Sequence, residues 1–537
     1  MRITFRNQAA LLREYVNRFD ATSNTIRLEA LLHLAEMPLP TGKDLLTFHD
    51  SLLFVAAYPS DPTQAKLAEK ALERISASIQ SKRTTPHLSW INSGLPFTPT
   101  VARFTHDQVR WLMAHPHCRT TLERFDDAAL ELNDVLKLTL PAVERSETTA
   151  GLANNDLMDV LKVPVRNRLS FLIDELSRLD PLPFIKDHLF DQIGVYVRAL
   201  PLHRHFSKAF NRLPGIETYF QKEFLKSFDI RALLDQPVNP PQDLDMDEKQ
   251  QVVRVIKNTM VLTARETDPT TYMDEDSLRL YHLGRGISVA IYTMIPSRQL
   301  PLESYVGYTA FKNGYAVSYG GSWVFGSGAN FGINIFETFR NGESAYIMAQ
   351  LLRVYRQVFS IGYFEVEPYQ FGLDNPEGIA SGAFWFYYKF GFRPLDKELR
   401  TLAHNEAGKI KSRKGYRTGP KTLIKLTGSN IGLTLDQKAP QRVPDITLQV
   451  TKMIQRAYNG QRQLAEMMCR EKFARDTGMQ IPVDPAQIQV WTEMALWKEA
   501  MQVNHPRQLS LMVDMIHAKP TNVYTYQELL RSFYILI

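Results

Sequence analysis

The sequence predicts an α+β chain of several domains. A central mixed α/β domain over residues 244–435 is flanked by an α-helical N-terminal domain over residues 1–240 and a C-terminal helical region over residues 436–537. Three observations predict this. The apolar residues recur every three or four positions along the first 236 residues, give way to β-branched and aromatic runs from Ile287 onward, and return to helical spacing beyond Leu435. Residues 236–243 carry three prolines among polar residues, which cannot continue a helix and mark the first boundary. The 537 residues also exceed the ~250–300 over which a single hydrophobic core grows, so about three domains are expected.

The elements follow in order. Asp61-Pro62-Thr63 offers an N-cap and a proline at the first helical position, ahead of Leu67, Ala71, Leu72, Ile75 and Ile79 on one helical face. Similar patterns over residues 126–138 and 157–179 predict further helices, and a helix over 249–264 precedes the change of period. Residues 287–295, 305–311, 315–323 and 332–339 read as consecutive strands, with Asn313-Gly314 supplying a tight hairpin turn. A helix over 345–359, a strand over 363–370 and a helix over 380–390 complete the central domain. Residues 450–472 and 487–503 are helical again.

Composition narrows the class. With 44% hydrophobic and 22% charged residues the chain can bury large cores and is not disordered. Cys118 and Cys469 stand far apart, which excludes a disulfide-rich scaffold and a structural zinc finger and fits a cytoplasmic protein. The longest apolar run, 287–295, still contains Ser288 and Thr293, so no membrane partner is expected. His115-Pro116-His117-Cys118 lacks a second cluster of matching spacing, so no metal is expected, and His203-Arg204-His205 reads as a basic surface turn. The glycine-rich residues 319–328 lack the Lys-Ser/Thr of a phosphate-binding P-loop and read as a hairpin. Lys409, Lys411, Arg413, Lys414, Arg417, Lys421 and Lys425 lie together with no acid among them and account for the whole net charge of +6.

The chemistry is carried by the order strand, Arg340-Asn341-Gly342-Glu343-Ser344-Ala345, helix, strand, helix. Within the last helix and its end, Ala383, Phe386, Tyr387, Lys389, Gly391 and Phe392 fall at the spacing Ala-x-x-aromatic-Tyr-x-Lys-x-Gly-Phe. This arrangement resembles the core of the GNAT superfamily of acyl-CoA-dependent N-acyltransferases, over about one third of the chain. Ile335 takes the place of the family's strand-end apolar residue, Arg340 the first position of its pyrophosphate loop and Ala345 the last. Two positions depart from the pattern: Glu343 stands where the family has glycine, and Ala380 where it has asparagine.

The resemblance implies acyl-CoA, acetyl-CoA in the simplest case, as co-substrate and a primary amine as acceptor, with Ile335, Arg340, Asn341, Gly342, Glu343, Ser344 and Ala345 as the cofactor-binding segment. A strand entering a loop that opens a helix presents free amides and the positive end of the helix dipole, which suit a pyrophosphate. Pantetheine would lie between the strands at 332–339 and 363–370. Tyr387 matches the family's proton donor to the departing thiolate, whose free pKa is about 8.5. A backbone amide near Phe336 and Glu337 is the expected oxyanion donor. Glu337 is the favoured base, with Glu365 and Glu367 behind it on one strand face.

The basic run suits a clamp for the 3′-phosphate of CoA. A nucleic-acid contact is less favoured, because Tyr416 is the one aromatic residue interleaved with it. Two alternatives remain: an aminoacyl-tRNA-dependent transferase of the same fold, and a non-catalytic CoA-binding or scaffold protein.

Overall fold

The computed structural model describes residues 4–81, 88–149, 151–436 and 440–535. The chain forms two compact units. The first comprises Met1–Phe224, Leu244–Thr271 and Lys312–Ala316, and the second Leu225–Asp243, Tyr272–Phe311 and Val317–Ile537. The helix Met246–Leu262 therefore belongs to the first unit, and the helices beyond residue 440 share the second with the large sheet. The sequence limits at 240 and 435 follow proline and period, whereas the units follow long-range packing.

In the first unit the helices Phe5–Tyr15, Ala21–Glu36, Gly42–Ala57 and Pro62–Ser81 pack on one another. The Asp61 carboxylate accepts from the amides of Thr63 and Gln64, so the N-cap expected from Asp61-Pro62 is present. A small antiparallel sheet, β1 (Thr100–Ala102), β2 (Cys118–Phe125) and β3 (Val195–Pro201), has the order β1-β3-β2. Reading residues 1–240 as wholly helical omits these strands. The alternate burial of β3 was legible as period two, but most of β2 is partly or wholly exposed and carries Arg, Thr and Glu, which leaves no apolar alternation to read. The helix expected over 126–138 shortens to Leu132–Thr139, because β2 runs to Phe125 and Asp127 takes φ 53°. The pattern at 157–179 divides into Asn154–Val160 and Arg168–Ser177 around Pro164.

The second unit is built on eight strands. They are β4 (Met273–His282), β5 (Ile287–Met294), β6 (Ser304–Lys312), β7 (Tyr315–Phe325), β8 (Gly328–Ile335), β9 (Tyr363–Val366), β10 (Arg393–Pro394) and β11 (Ile431–Thr434). Their order is β10-β11-β9-β8-β7-β6-β5-β4. β4–β5, β7–β8, β9–β11 and β10–β11 pair antiparallel, whereas β8 and β9 run parallel through the crossover helix Ser344–Phe359. Asn313 and Gly314 take φ 47° and 82°, the paired left-handed geometry of a type I′ hairpin. Phe325 and Leu302 share one core with Trp491, Trp497, Met494 and Phe533 of the C-terminal helices.

Helices at the end of the chain run Val443–Tyr458, Arg462–Thr477, Pro485–Met501, Pro506–Thr521 and Val523–Ile535. The span 450–472, expected as one helix, is broken by Asn459-Gly460, both with positive φ. The expected helix 380–390 is likewise two, Pro376–Ser381 and Ala383–Lys389, joined through Gly382 at φ 67°.

Candidate functional site

The parallel ladder between β8 and β9 is short. It pairs Gly328 with Tyr363, Ala329 with Phe364 and Asn330 with Glu365, and then stops. β8 continues to Ile335, still paired with β7, while β9 ends at Val366 because Pro368 opens a 3-10 turn, Pro368–Phe371. The edge of β8 from Phe331 to Ile335 therefore faces an opening in the sheet. Hydroxyls hold this strand: Ser322 Oγ, Tyr308 Oη and Ser318 Oγ donate to the carbonyls of Asn330, Gly332 and Asn334 at 2.9, 3.0 and 2.8 Å. Across the opening Asn330 Nδ2 donates to Glu367 Oε1 at 2.6 Å. The Gln370 amide lies against Gly332, where an added Cβ would stand 3.1 Å from Gln370 Nε2.

Beyond Ile335 the chain makes the 3-10 turn Glu337–Phe339 and enters the helix Ser344–Phe359. The first-turn amides of that helix have no intrahelical acceptors and lie at the positive end of its dipole. The helix start contains one carboxylate, Glu343, and it points inward. Its side chain is wholly buried, and Oε1 accepts from Arg285 Nη2 at 2.7 Å and from the Leu225 amide at 3.0 Å. The loop surface is thus left to the backbone of Asn341, Gly342, Ser344 and Ala345 and to Arg340. That guanidinium is half exposed, touches the Ile335 carbonyl and pairs with Glu377. Ser344 Oγ donates to the Arg340 carbonyl at 3.2 Å.

Tyr387 sits in the helix Ala383–Lys389 at 2% exposure, with Phe371 and Phe392 at ring distances of 6.4 and 5.7 Å. Burial pushes its phenol pKa up, so it holds its proton through the neutral range. It lies close enough to Tyr308, which bonds the Gly332 carbonyl, to add to burial in raising the Tyr308 pKa.

The three carboxylates proposed as bases fall in different places. Glu337 is exposed at the turn after β8. Glu365 is buried and committed: it accepts from Tyr363 Oη at 3.0 Å, Asn430 Nδ2 at 2.5 Å and Arg442 Nη1 at 3.5 Å. Glu367 stands at the opening, and its charge adds to burial in raising the pKa of Glu303. The Phe336 amide, half of the expected oxyanion donor, donates to the Val317 carbonyl at 3.1 Å, which leaves Glu337 as the candidate amide.

The structure therefore brings Glu367, Asn330, Gln370 and Gly332 to one opening. Sequence reasoning missed Asn330, Gln370, Tyr308 and Arg285. Gly332 carried a signal, a glycine inside a strand, which marks close approach of another group. Of the basic run, Lys409 pairs with Glu406 at 2.6 Å, while Lys411, Arg413, Lys414, Arg417, Lys421 and Lys425 are exposed. The short helix Pro420–Leu426 packs on Pro376–Ser381, whose Glu377 meets Arg340.

In the first unit the rings of His117, His203 and His205 approach in sequence at 4.9 and 5.0 Å, and burial lowers the His115 pKa to about 4. No group of three His, Cys, Asp or Glu able to hold a metal ion occurs among the described residues. Cys118 and Cys469 are free and buried. No helix among the described residues is long and apolar enough to cross a membrane. Comparison with protein-family models, with curated proteins and with solved structures finds no match, so the site is read from this chain's own residues.

Proposed function

We propose that the second unit is an N-acyltransferase that moves an acyl group, acetyl in the simplest case, from acyl-CoA to a primary amine. The observation that carries this reading is the opening of the β8–β9 ladder beside a strand-turn-helix segment whose helix-start carboxylate, Glu343, is buried against Arg285. A pyrophosphate would take the free amides at the start of Ser344–Phe359, with Arg340 at its edge. The pantetheine amides would pair with the open edge of β8, as a short added strand does.

The neutral amine attacks the thioester carbonyl, a C–N bond forms and the C–S bond breaks. The amine proton passes to Glu367, directly or through water, and the thiolate takes a proton from Tyr387. Glu367 is preferred to Glu337 because it stands at the opening, and to Glu365 because Glu365 is held by three donors.

Calorimetric titration with acetyl-CoA and longer acyl-CoAs tests the reading. Saturable binding is expected, and none to the folded protein at millimolar ligand overturns it. Tyr387→Phe is expected to retain acyl-CoA affinity and slow turnover, and Glu367→Gln to slow turnover more than Glu337→Gln.

A second reading, an aminoacyl-tRNA donor on the same fold, is favoured by the exposed cations from Lys411 to Lys425. RNA that co-purifies and dissociates steeply with salt would select it.

A further inference from the structure

At the end of β9 away from the opening lies a cleft of about 390 Å³. Arg231, Arg393 and Arg400 line it, together with the apolar faces of Phe390, Leu395 and Leu433, and no Asp or Glu is among its lining residues. Main-chain carbonyls hold all three guanidinium groups. Arg231 Nη2 donates to Thr434 O at 3.0 Å, and Arg393 Nη1 to Tyr388 O and Phe392 O at 2.8 Å each. Arg400 reaches Pro394 O through Nε at 3.0 Å and Leu395 O through Nη2 at 3.1 Å. The Arg393 guanidinium also lies 3.7 Å over the Tyr388 ring.

Carbonyl oxygens fix a guanidinium in place without neutralising it. Each group also keeps N–H donors beyond those it spends on the carbonyls, since arginine has five. Three like charges gathered around one apolar cleft repel one another. An anion removes that cost and matches the fork of the guanidinium donors. The volume lies within the range of small-molecule sites, and the apolar lining gains only from a ligand with an apolar body.

We infer that this cleft binds a small organic anion, a single carboxylate or phosphate head group on an apolar chain. A bare phosphate would leave Phe390, Leu395 and Leu433 uncovered, and an amine would meet only repulsion. The inference stands independently of acyl-CoA at the β8–β9 opening, because the two places share no side chain.

The test is calorimetric titration of the full chain with octanoate, octyl phosphate, inorganic phosphate and octylamine. Octanoate or octyl phosphate is expected to bind saturably, the stronger of the two naming the head group, with inorganic phosphate at least about 10-fold weaker. Arg393→Gln should weaken binding by about 10-fold or more, the usual scale for a lost charged hydrogen bond. Because Arg393 also braces the helix end, Leu395→Glu is the second variant. It places a carboxylate in the cleft and removes no guanidinium, and it should abolish binding with the melting temperature retained. The inference is overturned if octylamine binds as well as octanoate, if inorganic phosphate equals octyl phosphate, or if folded Leu395→Glu binds like the parent.

Discussion

Removing Arg285 tests the placement of Glu343 directly. The pair is buried on the carboxylate side, with the Glu343 side chain at 0% and the Arg285 side chain at 17% exposure. Arg285→Met leaves a desolvated carboxylate that keeps the Leu225 amide at 3.0 Å. Breaking a buried pair from one side costs about 3–5 kcal/mol, because the remaining charge is uncompensated, against about 0–1 kcal/mol for an exposed pair. The helix N-terminus and the Leu225 amide offset part of this, so about 3 kcal/mol is expected, or a fall in melting temperature of roughly 6–12 °C. Urea unfolding followed by circular dichroism measures it, with Glu343→Gln and the double variant closing a cycle. The double variant should be more stable than Arg285→Met alone, by a coupling of about 2 kcal/mol or more. A cost below about 1 kcal/mol, or an additive cycle, would refute the burial argument.

Further outcomes are expected. Gly332→Ala brings a methyl to 3.1 Å from the flexible end of Gln370, so stability should change by less than about 1 kcal/mol while acyl-CoA affinity, measured by calorimetry, falls. Lys519 is wholly buried, donates to Glu303 O and Ser304 Oγ, and has its pKa pushed down to about 7 from 10.5. Its folded pKa lies below the unfolded one, so the unfolded chain binds more protons between about pH 7 and 10.5, and stability rises with pH across that window by up to a few kcal/mol. Lys519→Met should flatten that rise in urea midpoints taken at pH 7 and 9.5, and equal slopes in the two proteins would count against it. If Tyr387 is the acid, the raised pKa of its phenol means that turnover should not decline through its ionisation below about pH 10, a limit that a pH–rate profile of parent and Tyr387→Phe will check.

Local signals were legible in the sequence and long-range ones were not. Asp61-Pro62 announced the helix Pro62–Ser81, Asn313-Gly314 the hairpin between β6 and β7, and the apolar period of residues 345–359 the helix Ser344–Phe359. Each rests on residues within one or two turns of each other. β4 was missed because Asp274, Glu275 and Asp276 interrupt its alternation, and a register shift separates Asp274 from Arg279. The strands at 332–339 and 363–370 were placed, but their ends were not. Ile335 and Val366 end them through turns whose start the apolar pattern runs past, although Pro368 was a readable stop. Asn330 with Glu367, and Gln370 on Gly332, depend on the parallel register of β8 and β9, which only the crossover sets.

Glu343 shows why a departure from a loop pattern has to be weighed by side-chain direction and backbone conformation together. At this place in the pattern that residues 340–345 resemble, glycine would serve by letting a phosphate approach the backbone. Glu343 has φ −86° and ψ 45°, outside the left-handed region, so its backbone needs no glycine freedom. Its Cβ leads inward, where Arg285 supplies the opposite charge and Leu225 an amide donor, so the negative charge is spent inside the protein. The carbonyl of the same residue accepts the Ile347 amide at 2.9 Å and starts the helix. Glu343 therefore anchors the turn from within and leaves its outer face to the backbone and to the Arg340–Glu377 pair. An anion arriving at the helix start meets no carboxylate from Glu343, whereas Arg340 carries Glu377 beside it, so the proposed pyrophosphate site requires that Arg285 hold Glu343 inside.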